Sequence, residues 1–485
     1  DYSDVAKGLL ARLGIDEATL EEVRRRTPED SSLGGRFDAA NAMSLEGPEG
    51  RVTVGGNWLK YMLGAGDFGA AVSALPLPEA ERGRLRALLG GEEDFLADLS
   101  LGEKYDYANA TAYNRFLVER VGLAPTTVPL LDPILRLYYG VTGWNLSVLE
   151  ALYAGAAGLK GMGWFARMLG TTVAAFAGDD AMDIHVFPDG NATVARLLVR
   201  GLIPAAAPGA QGFEDIAAHR FDYGALDRPE RPVRLRLSST AVGVREIDGR
   251  VEVDYVQQGT ARRVTADHCM LACYNGMIPH LCPELPEAQK AALRYGVKVP
   301  LVYANVLLRN GRALEALGAN WITCPNDPFV TISAAPAAAV AGYAPPRGPD
   351  DPMALFMVQV PTPAPSADEP VRELLRAGRA QIYATPFAEY ERQIRTQLRA
   401  VLGPHGFDDE RDLLAITVNR HPHGYAYEYL ALHDPEWPEG EAPHELGRAR
   451  FGRISIANSD SEGRAYMDAA IDAAWRVVGE QAGRG

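Results

Sequence analysis

Between Val233 and Ala272 the chain leaves helical spacing and alternates apolar with polar residues. Val233–Leu237, Val242–Ile247, Val251–Val256 and Arg263–Ala266 follow a period of two, and Asp248-Gly249 has the chemistry of a tight hairpin turn. The apolar run His268–Ala272 then reads as a fully buried central strand. This strand block sits inside a chain that is otherwise largely helical. Tyr2–Leu13 is periodic and is stopped by Gly14, Asp16–Arg26 carries acids early and arginines late, and Pro78–Leu89 and Asn109–Val121 are further helix candidates. Leu130–Gly170 is poor in charge and reads as helices buried between layers. Asn191 is placed to cap a helix over Ala192–Arg200 after the turn Phe187-Pro-Asp-Gly-Asn191. Beyond the block come a helix at Pro286–Tyr295, a strand at Val299–Leu308, a helical stretch Val371–Val401 broken by Pro386, and a strand at Leu413–Val418. Strands and helices alternate without a regular βαβ rhythm, and 485 residues exceed one typical core. The pattern predicts an α/β protein of two interleaved domains, the second of α+β character, rather than a doubly wound sheet.

The C-terminal stretch points to chemistry. Gly452-Arg-Ile-Ser-Ile-Ala-Asn-Ser-Asp460 reads as a buried strand entering a polar turn, and an Ala-rich amphipathic helix follows to Val478. The first N–H groups of such a helix lack intrahelical partners and the helix dipole adds positive potential, so the junction is suited to an anion.

The net charge of −15 argues against nucleic acid or an anionic membrane surface as the main partner and suits a cationic ligand. Cys269, Cys273, Cys282 and Cys324 form no C-x-x-C, zinc or haem-attachment spacing, and the first three lie in or near one apolar strand. No apolar run is long enough to span a membrane. Residue 1 is Asp rather than Met, which reads as a processed or incomplete start. The expectation is a periplasmic protein exported within a precursor or complex, with the cytoplasm as the alternative.

Four segments in order resemble the flavin-containing amine oxidoreductases, most closely the spermidine-dehydrogenase-like branch. They are Phe187-Pro-Asp-Gly-Asn-Ala-Thr-Val-Ala-Arg-Leu-Leu-Val199, Tyr295-Gly-Val-Lys-Val-Pro-Leu-Val-Tyr303, Val418-Asn-Arg-His-Pro-His-Gly-Tyr-Ala-Tyr427 and the C-terminal turn and helix. The resemblance implies FAD as cofactor and the two-domain fold of the FAD-linked amine oxidases. The FAD-binding domain would be formed by residues 1–60, 190–295 and 405–485, and the substrate-binding domain by 61–189 and 296–404. It also implies that the backbone of Val242 meets the adenine, and that Asn458, Asp460 and the backbone at Tyr466 and Met467 hold the ribityl chain and the flavin edge. The family's third contact, a G-x-G-x-x-G turn for the pyrophosphate, has no counterpart: Gly55-Gly56, Gly64-Ala-Gly66 and Gly155-Ala-Ala-Gly158 have the wrong spacing or helix-like settings. The first βαβ unit is therefore expected on a small partner chain or a cleaved N-terminal fragment, unless FAD has been lost.

Amine oxidation by a flavin moves a hydride from the carbon beside nitrogen, so the amine must be neutral and the site apolar and aromatic. Lys298 opens an apolar strand, where the resemblance implies a lysine that bridges through water to the flavin. Tyr425 and Tyr427 are candidates for an aromatic wall, with Gly424 permitting a turn that presents them. His421 and His423 are expected to titrate near neutrality, with His423 carrying protons. Tyr138-Tyr139 and Trp144 read as core or as a channel wall. Gly178-Asp-Asp180 and Asp183 are an acidic stretch at a candidate entrance. No metal ligand set is evident. A haem has no motif here, and His185 reads as a satisfied core histidine rather than an axial ligand. The expected substrate is a polyamine such as spermidine, oxidised to an imine and then an aldehyde, with the electron acceptor open. The rival readings are an amino-acid oxidase or desaturase, for which Arg420 is the arginine to test, and a non-catalytic subunit of a heteromeric flavoprotein.

Overall fold

The computed structural model describes residues 2–26, 41–62, 64–158, 160–162, 187–335, 339–340, 342–363 and 369–483. Its strands are β1 (Asn41–Gly47), β2 (Gly50–Gly55), β3 (Pro188–Asn191), β4 (Ser239–Ile247), β5 (Arg250–Gln257), β6 (Thr260–Ala266), β7 (Cys269–Leu271), β8 (Val299–Leu308), β9 (Trp321–Thr323), β10 (Thr331–Ala334), β11 (Met353–Gln359), β12 (Leu413–Tyr425) and β13 (Ile454–Ile456). Seven of them form one mixed sheet in the order β12-β8-β11-β10-β9-β1-β2.

Strand β8 shows why this sheet holds together. Val302, Ala304 and Val306 point to one face and pack with Tyr390, Ile394 and Leu398 of the helix Phe387–Leu402. Val299 and Leu301 point to the other and join a core built from helices between Gly69 and Tyr153. A strand covered on both faces reads as a near-continuous apolar run, as Val299–Leu308 does. Each buried Leu or Ile contributes roughly 1.5–3 kcal/mol. The break at Pro386 falls where expected, between helices Val371–Ala384 and Phe387–Leu402. The helix expected at Asn109–Val121 instead divides: Leu101–Ala110 ends at an extended Thr111, and Tyr113–Phe116 begins a new one.

The strand block forms a three-stranded antiparallel sheet, β4-β5-β6. Asp248 and Gly249 both take positive φ, as a primed turn requires, and Gln258-Gly259 makes a second such turn. Two expectations differ from the structure. Strand β7 is not fully buried: among the described residues it pairs in parallel with β13 alone, and Met270 is 45% exposed. Val233–Leu237 joins no sheet, and Val233, Leu235 and Leu237 are all exposed. Among the described residues β7 has a neighbouring strand on one side and Val233–Leu237 on neither. No helix among the described residues is long and apolar enough to cross a membrane.

Candidate active site

Three distant segments converge at the first residues of β8. Lys298 precedes the strand, Tyr425 ends β12 opposite Val299, and Asp460 sits in the short helical turn Ser459–Glu462 that follows β13. Lys298 Nζ donates to Asp460 Oδ1 at 2.6 Å, and each side chain is only 12% exposed. Asp460 Oδ2 accepts the Asn275 N–H at 3.0 Å. Asn458 sets up the turn: its Oδ1 accepts the Ser461 N–H at 2.9 Å, and its Nδ2 donates to the Cys273 carbonyl at 2.6 Å and to Asn275 Oδ1 at 3.1 Å. The carboxylate is therefore fixed from two sides before any ligand arrives. Lys298, expected on the catalytic side, and Asp460, expected on the cofactor side, occupy one place.

The aromatic wall is also local. The Tyr303 and Tyr425 hydroxyls are 2.6 Å apart, and the Tyr303 ring lies 5.2 Å from both Phe356 and His421. Burial, with Tyr425 beside it, pushes the Tyr303 phenol well above its ordinary range, so it stays neutral. The expectation of a loop at Gly424 needs correcting. Strand β12 runs on to Tyr425 through an irregularity between His421 and Tyr425. Gly424 is needed for close approach instead, since a Cβ there would lie 2.7 Å from the Val299 carbonyl.

His423 stacks on Tyr274 with ring centroids 4.6 Å apart, its Nε2 is 3.4 Å from the Tyr383 hydroxyl, and its Nδ1 is buried without a partner. Burial first, then the positive charges of Arg379 and Lys298, lower its pKa to about 4 against the opposing pull of Asp460. His423 is therefore neutral at neutral pH and does not titrate there as expected. The Tyr427 hydroxyl is committed, donating to Asp434 Oδ2 at 2.7 Å. The same carboxylate accepts from Tyr295 at 2.6 Å and Arg372 at 2.7 Å, making a buried knot behind the wall. Tyr427 also lines a small cleft with Asn275, Tyr429, His444 and Asp460.

The helix Met467–Gln481 begins at Tyr466, whose backbone is extended and which offers no side-chain cap. Its first N–H groups are thus free of an internal partner. Val242 lies apart from this cluster, as the extra residue of a bulge in β4 between Ala241 and Gly243. Tyr138 and Tyr139 end the helix Pro133–Tyr139, with the Tyr139 hydroxyl 3.4 Å from the Glu150 carbonyl, and Trp144 is half-buried. Arg420 is exposed and donates to the Thr385 carbonyl at 3.4 Å, away from the wall. Gly178-Asp-Asp180, Asp183 and His185 lie outside the described residues.

Sequence reasoning did not single out Tyr303, Asn275 or Glu428. Tyr303 was recoverable, because a period of two from Val299 puts it on the face of Leu301. Asn275 acts through its backbone N–H and its Oδ1, and Glu428 through its place against Ala465, and neither leaves a sequence signal.

No family model matches the chain, and no curated protein matches it. Solved structures do. A double mutant of putrescine oxidase, made in a redesign of cofactor binding, aligns over 100% of this chain and 87% of its own, with 13% identity and a TM-score of 0.51. Wild-type putrescine oxidase bound to putrescine aligns over the same shares at 13% identity and TM-score 0.49. Cyclohexylamine oxidase from Brevibacterium oxydans IH-35A aligns over 93% of this chain and 84% of its own, at 11% identity and TM-score 0.45. At such low identity the likeness speaks to architecture, and the chain has the overall fold of putrescine oxidase.

Proposed function

We propose that this chain is a flavin-dependent amine oxidoreductase acting on a polyamine such as spermidine. The observation that carries the reading is the Lys298–Asp460 pair at the foot of the Tyr303–Tyr425 wall. It brings the substrate-side lysine and the C-terminal turn to one point in a chain with the fold of an amine oxidase.

The residues present suit the flavin end of FAD. Uncapped N–H groups at Met467 favour negative charge, and the Asn458–Asp460 turn supplies fixed polar atoms for a hydroxylated chain. Bound FAD would supply the hydride acceptor. The chain's own residues do the rest. The tyrosine wall excludes water and favours a neutral amine by desolvation. Lys298 has three N–H donors and spends one on Asp460, leaving donors that can hold a water beside the reacting carbon.

The pyrophosphate end has no glycine-rich βα turn among the described residues. We infer that a βαβ unit from outside them completes the site, on the same polypeptide or a small partner. Two features support this: among the described residues β7 is paired on the β13 side alone, and Val233–Leu237 leaves three apolar side chains in water. Parallel strands are normally covered on both faces.

The test is anaerobic addition of spermidine to flavin-loaded protein. The wild type should bleach, and Lys298→Met should bleach or reoxidise at least about tenfold more slowly, since a positioned proton or water carrier contributes roughly 10²–10⁴-fold. A flavin that spermidine leaves oxidised would contradict the reading.

A further inference from the structure

The helix Val371–Ala384 approaches β8 closely at Gly378, where a Cβ would lie 2.9 Å from Pro300 Cγ and 2.8 Å from the Pro361 carbonyl oxygen. The next residue, Arg379, is half-buried, and its Nε donates to the Pro422 carbonyl at 3.1 Å. One turn later the Tyr383 hydroxyl lies 3.4 Å from His423 Nε2, and His423 stacks on Tyr274 with ring centroids 4.6 Å apart. Direct contacts thus gather Arg379, Tyr383 and Tyr274 around Pro422 and His423.

The guanidinium in this group has no acid set against it. The chain has 63 acidic and 48 basic side chains, yet Arg379 forms no ion pair among the described residues. Glu373 on the same helix is paired with Arg376, and Asp460, whose charge His423 senses, is paired with Lys298 at 2.6 Å. Burial is the first cause that lowers the Arg379 pKa, and the charge of Arg376 adds to it. With Nε held by Pro422, the plane of the guanidinium is fixed and its terminal N–H groups remain as donors.

We propose that Arg379, with the Tyr383 hydroxyl one turn away on the same helix face, binds a small oxyanion, a carboxylate or a phosphate group. A fixed guanidinium fork takes two oxygens side by side, which a point charge cannot do. Residues four apart on a helix share a face, so Tyr383 stands on the side from which Arg379 reaches Pro422. With the imidazole proton on Nε2, His423 donates to the Tyr383 oxygen and leaves that hydroxyl to donate to the anion. The site goes beyond the amine-oxidation reading and does not depend on it.

The test is calorimetric titration of the intact protein, with everything that copurifies with it, by inorganic phosphate, 4-aminobutanoate and butylamine. The wild type should bind phosphate or 4-aminobutanoate. Arg379→Gln should weaken that binding about tenfold or more, as loss of hydrogen bonds to a charged group does. Arg379→Lys, which keeps the charge without the fork, should weaken it less. Tyr383→Phe, which leaves Arg379 in place, should weaken it about threefold. Binding of 4-aminobutanoate tighter than that of both phosphate and butylamine marks the anion as the acid group of a substrate, and binding of phosphate alone marks a free anion. A wild type that binds neither acid, or Arg379 variants that bind as the wild type does, would overturn the proposal. The titration needs no turnover, so its failure leaves the amine-oxidation reading standing, and a flavin that amines leave oxidised leaves the anion site standing.

Discussion

The seven-stranded sheet is packed on both faces, by the helix Phe387–Leu402 on one side and a helical layer on the other. The β7–β13 pair, by contrast, is two strands of three residues that among the described residues form a sheet only with each other, and Met270 faces water. The first region carries its own stability and presents Lys298 and Tyr303. The second holds Asn458 and Asp460 by local hydrogen bonds. The difference teaches that the Tyr303–Tyr425 wall stands on a sheet packed from both sides, whereas the Asp460 turn follows a two-stranded pair and is held by local hydrogen bonds.

The largest expected effect tests the sheet that is packed on both faces. Leu398→Ala should cost about 2–5 kcal/mol in denaturant unfolding, as large-to-small changes in a closed core do. Met270→Ala should change stability by less than about 0.5 kcal/mol in the chain alone, as exposed changes do. Similar costs for the two would erase the distinction between the regions.

Asp460→Ala comes next. It strands the Lys298 ammonium and the Asn275 N–H in a place with little solvent, and should cost about 2 kcal/mol. The double variant with Lys298→Met should recover part of that in a thermodynamic cycle. Additive losses would mean that the two residues do not meet.

The smallest effect concerns pH. His423 has a folded pKa of about 4 against an ordinary 6.5, so the folded state resists its protonation. The contribution is complete above pH 6.5 and is lost as pH falls from 6.5 towards 4, because the unfolded chain takes up the proton first. Other lowered histidines, His433 and His444, share the trend. The stability difference between wild type and His423→Gln should therefore shrink across that window, and a constant difference would contradict the assignment.

Much of the fold was legible because its signals are local. Pro386 breaks its helix, Asp248-Gly249 makes its turn, and the C-terminal strand, turn and helix lie where their residues put them. Gln258-Gly259 makes the same turn with weaker chemistry and went unread. The exposure of Met270 and Val233–Leu237 was illegible because alternation reports that a side chain prefers burial, whereas a neighbouring strand decides whether it is buried. The site divided in the same way. Lys298 and Asp460 were each suggested by resemblance, but their contact spans 162 residues and needed the fold. Tyr427 and His423 lie close in sequence to Tyr425, yet one is tied to Asp434 and the other held neutral against Tyr274. Alternation along an irregular strand end sends neighbouring side chains to different surroundings.

In the function proposed above, the Asp460 turn and the Tyr466–Met467 helix start form the flavin end of an FAD site completed by a further unit. The most direct measurement is the visible spectrum and flavin content of the protein isolated with everything that binds it. The expected result is about one FAD per chain, lost in Asp460→Ala together with Asn458→Ala. Absence of flavin from every preparation, or full flavin occupancy in the double variant, would contradict it.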